Sequence, residues 1–165
     1  MDVPDALSTI AEIALGLAGF SGVVVVLGRQ PGAFTEVEAG RLVLLLVSSI
    51  GAMFLALLPL SLAPLELGDS LLWRISAATF TAFCIGYGLI GRSRVRIVRS
   101  HAPEIYSSAV SVFNYSTVGT AMLLQLVVLA RPADLGPGFY VLGLLGLLLT
   151  ATVQFVRMLF VRPQP

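Results

Sequence analysis

Five apolar stretches constrain this chain more than any other feature: 9–27, 42–65, 71–91, 108–130 and 138–160. Each approaches or exceeds the roughly 20 residues that a helix needs to cross a hydrocarbon core. In lipid every backbone N–H and C=O has to be satisfied within the protein, so each stretch can exist there only as a helix. The sequence therefore predicts an all-α polytopic membrane bundle of five transmembrane helices in a single domain, 1–165. Composition agrees. Only 12% of residues are charged, against about a quarter in soluble domains, too few to coat a water-facing globule.

The connections carry the expected punctuation. Pro31-Gly32 predicts a turn, and Thr35 with Glu38 fits a capping box, starting the second helix ahead of the membrane. Asp69 and Ser70 are candidate N-caps for the third helix, and Pro103 suits the first turn of a fourth that begins in water. Pro59 and Pro64 are expected to kink or end the second. The links 66–70 and 131–137 are short, so helices two and three, and four and five, should be antiparallel neighbours. The N-terminal MDVPDALS is acidic and lacks the basic start of a secretory signal, so the first apolar stretch is expected to be retained.

Orientation follows from arginine, the chain's sole basic side chain besides His101. With five spans, one side holds Arg29, Arg41, Arg92, Arg94, Arg96, Arg99, Arg157 and Arg162, and the other holds Arg74 and Arg131. The positive-inside rule then predicts N-terminus out and C-terminus in. The bias also argues against dual topology. Arg92, Arg94, Arg96 and Arg99 fall in a predicted inner loop, where the topology signal explains them and contact with anionic lipid headgroups is the further reading. His101 in the same loop reads as a solvated histidine. A net charge of +1 gives no basis for a nucleic-acid partner.

Helical projection separates the first helix by size. Ser8, Ala11, Glu12, Ala14, Gly16, Ala18, Gly19, Ser21 and Gly22 share one broad side; Ile10, Ile13, Leu17, Phe20, Val24 and Leu27 share the other. Small residues let helices approach closely in membranes, so Gly16, Gly19 and Gly22 are expected to pack against protein and the large side to meet lipid or peripheral helices. Similar seams run down the third helix (Arg74, Ala77, Thr81, Cys84, Gly88, Gly91), the fourth (Ser107, Ser111, Asn114, Ala121, Gln125) and the fifth (Gly143, Gly146, Thr150, Gln154, Arg157). The fourth is the most polar. These seams read as interhelical glue, or as the lining of a hydrated path. Glu12 and Arg74 both fall near the predicted outer ends of their helices, where three readings stay open: a structural ion pair, an acidic ring of Glu12 at the pore mouth of an oligomer, or snorkelling to water. Trp73, Tyr106 and Tyr140 are assigned to the aromatic belts.

Several chemistries are missing. No aspartate lies within a predicted span and the one histidine is in a predicted loop, so neither intramembrane hydrolysis nor haem ligation has its residues. The single cysteine, Cys84, sits among small residues and reads as packing, and no phosphate-cradling loop precedes a helix. No cofactor or metal is expected, and the sequence points away from an enzyme.

The run GLAGFSGVVVVLG, the arginine and Pro-Gly that follow it, and RLVLLLVSSIGAMFLALLPLSL with LLWR at 71–74 resemble small multi-spanning inner-membrane proteins of bacteria, a family without assigned activity. The resemblance covers helices one to three and implies a bacterial inner-membrane location. Function is then expected in one of two classes. The first is a homo-oligomeric channel or passive permeation protein, its path formed between subunits because so small a unit has little room for one inside. The alternative is a non-transporting scaffold or accessory subunit bound to a larger membrane protein.

Overall fold

A computed structural model describes residues 2–27, 36–101 and 108–160. Those residues form five helices and no strand: α1 (Val3–Leu27), α2 (Glu36–Leu62), α3 (Asp69–His101), α4 (Ser108–Ala130) and α5 (Pro132–Phe160). All five are long and apolar enough to cross a membrane. The all-α, five-span expectation therefore holds. The turn at 31–32, the Thr35 cap, Pro103, Tyr106 and Ser107 lie outside the described residues.

Two connections differ from expectation. The arginine-rich stretch 91–101 is not a loop, because α3 runs on through it to His101. No proline or cap interrupts the chain before Pro103, and arginine is a good helix former, so the helix simply continues out of the apolar region. The predicted link 131–137 shrinks to Arg131 alone. Pro132 takes the first turn of α5, where a missing N–H costs nothing, and the helix carries Pro137 within it. Between α2 and α3, a 3-10 turn at Ala63–Leu65 ends in Glu66 (φ 50°), whose N–H donates to the Ala63 carbonyl. Gly68 (φ +76°) then supplies the left-handed conformation that glycine adopts without strain. Helix α3 starts directly after it at Asp69, so that residue falls in the first turn rather than at the cap.

Helix α5 packs against all four others, with α1 against α2 and α5, and α3 against α2, α4 and α5. Helices α2 and α5 are the most buried, and α1 and α4 the least. The core at their junction is aromatic. Trp73, Phe80 and Tyr87 lie at seven-residue intervals on α3, all buried. Tyr140 of α5 sits between the first two, with ring centroids 5.6 Å from Trp73 and 5.5 Å from Phe80. Trp73 and Tyr140 are therefore core residues, not members of an interfacial belt. The spacing of 73, 80 and 87 was available in the sequence as the signal for this ladder.

Pro59 neither ends nor breaks α2, which continues to Leu62. Proline at 59 removes the N–H that would bond the carbonyl of Leu55 four residues earlier. The Tyr140 hydroxyl donates to that carbonyl at 2.7 Å in a buried position. A helix from elsewhere in the chain thus satisfies the group that the proline orphaned, as the apolar interior requires.

Candidate functional site

The polar residues singled out by the sequence fall into two separate settings, one closed and one open. The closed setting is the interior of the α4–α5 contact. Gln125 is fully buried and its Nε2 donates to the Phe139 carbonyl at 3.4 Å. Gly143 makes room for it: a Cβ there would overlap the Gln125 amide and stand 3.1 Å from the Phe80 ring. Gly146 is less confined, with its nearest neighbour 3.5 Å away at Ala121. Thr150 is buried and returns its hydroxyl to the Gly146 carbonyl at 3.1 Å, the local bond that lets a threonine face apolar surroundings. Ser111 and Asn114 are half-buried further along α4.

Not every polar atom in this interior is satisfied. The side-chain oxygens of Ser49, Tyr87, Asn114, Gln125 and Gln154 are buried without a hydrogen-bond partner among the described residues. Tyr87 lies beside Ser48, whose hydroxyl donates to the Leu44 and Leu45 carbonyls at 2.8 and 3.0 Å. These atoms are spread along the bundle, and between them the core is filled by Phe80, Tyr140, Leu144 and Leu147. Gln125, Gly143, Thr150 and Gln154 of the seams are buried. A shallow cleft of about 210 Å³ between α4 and α5 is lined by Ser116, Thr117, Thr120, Leu142 and Gly146. The Ser116 and Thr117 hydroxyls both turn back to the Phe113 carbonyl at 2.9 Å.

The open setting is the outer face of α1. The helix packs through Leu7, Ile10, Ala11, Ala14, Leu17 and Ser21, a heptad stripe of mixed sizes. Glu12, Gly19 and Gly22 are exposed, and a Cβ on Gly16, Gly19 or Gly22 would meet nothing within 4 Å. The division by size holds only in part: Ala11, Ala14 and Ser21 of the small side pack inward together with Ile10 and Leu17 of the large, while Glu12, Gly19 and Gly22 are exposed along with Ile13 and Phe20.

Glu12 is exposed on α1, within the candidate span Val3–Val23. Arg74 is also exposed, on α3. No ion pair joins them among the described residues, since α1 packs on α2 and α5 while α3 packs around the other side of those helices. Arg92 and Arg96 are exposed on the extension of α3; the side chains of Arg94 and Arg99 lie outside those described. Cys84 is buried as packing. Among the described residues no cluster of histidine, cysteine, aspartate or glutamate has metal-binding geometry.

The fold and these surfaces define the class of the protein: an integral membrane helical bundle of five spans. Comparison with protein-family models, with curated proteins and with solved structures returned no match to the chain.

Proposed function

We propose that the protein is a homo-oligomeric membrane protein of the bacterial inner membrane, its subunits meeting along the outer face of α1 around a passive permeation path that Glu12 lines. One observation carries this reading. A carboxylate within the apolar α1 span is exposed, on a helix where an added Cβ at any of three glycines meets no described residue within 4 Å. A charge at the centre of a membrane helix costs about 2.5–3.5 kcal/mol on insertion scales, and such residues face protein or water rather than lipid. Open glycines beside it allow a second helix to come close. The filled core supports a path between subunits over one within a subunit. The arginine bias orients the bundle with the arginine-rich helix ends in the cytoplasm.

The test has two parts. The mass of the detergent-solubilised particle should be a multiple of the chain mass, and a monomer defeats the reading. Cation flux into liposomes should then lose selectivity on Glu12→Gln. A stable oligomer without flux, or one that forms only with a different membrane protein, would favour the scaffold or accessory reading.

A further inference from the structure

Glu12 of α1 and Arg74 of α3 are both exposed, and each lies in the first half of its apolar span. One crossing separates α1 from α3, so the two helices run in the same direction through a membrane. Counted from the helix starts at Val3 and Asp69, the two residues differ in depth by about 6 Å at 1.5 Å per residue. A glutamate and an arginine side chain together bridge that gap. Charged residues inside membrane spans pair with one another or face water, because lipid solvates neither sign. The pair is not made within the chain, where α1 lies on α2 and α5 while α3 lies on α2, α4 and α5.

The residues that follow each charge match as well. Gly16 and Gly19 come one and two turns after Glu12, and an added Cβ on either meets no described residue within 4 Å. Ala78 and Ala82 come one and two turns after Arg74, and both are exposed. Steps of three and four residues keep each set on one side of its helix. Helices meeting through small residues approach closely in lipid. Laid parallel, the two strips bring Glu12 to Arg74, Gly16 to Ala78 and Gly19 to Ala82. Small residues alone select no partner, but the charges do: either strip against its own copy sets like charges together, and only the unlike strips attract.

We propose that the α1 face of one copy docks on the α3 face of the next, with Glu12 bonded to Arg74 of the partner subunit. The inference rests on the oligomer proposed above and names the surface that its α1 face meets. Two different faces join, so the contact is head-to-tail, the type that closes into a ring. A carboxylate accepts hydrogen bonds at two oxygens, so Glu12 bonded across the boundary still presents one to a path between subunits.

Charge exchange in the full chain tests the contact. The particle mass in detergent is measured over a dilution series for wild type, Glu12→Arg, Arg74→Glu and the variant carrying both. Each single reversal should raise the dissociation constant about tenfold, in line with the loss of one interhelical polar contact, and the double reversal should restore it. Circular dichroism checks that each variant is folded. In a Cys84→Ala background, co-expressed Gly16→Cys and Ala78→Cys chains should form an oxidative cross-linked dimer that neither chain forms alone. A monomeric wild type defeats the oligomer and this contact together. An oligomer that withstands both single reversals, or in which Gly16→Cys chains link to one another, overturns this contact and leaves the oligomer standing.

Discussion

The hydroxyl of Tyr140 takes the place of the backbone N–H that Pro59 lacks, donating to the Leu55 carbonyl at 2.7 Å. A single bond between residues 85 apart therefore completes α2 and sets its register against α5. Removing the hydroxyl with Tyr140→Phe leaves a buried carbonyl unmatched, at an expected cost of about 1–3 kcal/mol. Pro59→Ala restores the local donor, so Tyr140→Phe should cost much less in that background. Thermal denaturation of the four proteins in detergent measures the coupling, and additive losses would contradict the relationship.

The glycines divide by what surrounds them. Gly143→Ala forces a Cβ into the Gln125 amide, and Gly51→Ala forces one into the Phe83 ring. Each should destabilise the bundle by about 1–3 kcal/mol through overpacking. Gly146→Ala, with 3.5 Å of clearance, should unfold at the wild-type temperature or above it.

The outer face of α1 calls for the opposite experiment. Gly19 is exposed and an added Cβ there meets no described residue within 4 Å, so Gly19→Leu should preserve secondary structure and subunit stability. If subunits meet along this face, the same change should split the particle into smaller species on size-exclusion chromatography. An unchanged particle mass would remove α1 as the contact.

Cys84 is buried at 3% exposure on α3, packed into the core. A maleimide should label it only when the bundle opens, and labelling should follow the thermal transition. Phe80→Ala, which leaves a cavity beside Tyr140, should lower the labelling temperature markedly, consistent with a loss of about 3–5 kcal/mol.

Much of the candidate polar interior was legible in advance. Gln125, Thr150, Gln154 and Gly143 were all placed on helix seams, and all four are buried. Polar side chains in an apolar helix are rare enough that their spacing alone marks a protein-facing side. Glu12 obeyed the same rule in sequence and broke it within the single subunit, which is why it carries the proposal of a further subunit.

The sequence by itself determined the number of helices, their approximate spans and the sign of charge at each end, because these depend on local composition against the thickness of a bilayer. It could not determine which face of α1 packs inward, why α2 survives Pro59, or that Trp73 and Tyr140 belong to the core. Lipid and protein interior are equally apolar, so periodicity does not distinguish the side that meets one from the side that meets the other. Only the contact with α5, which lies against all four other helices, decided those points. It supplied the missing donor for Leu55 and enclosed the aromatic ladder.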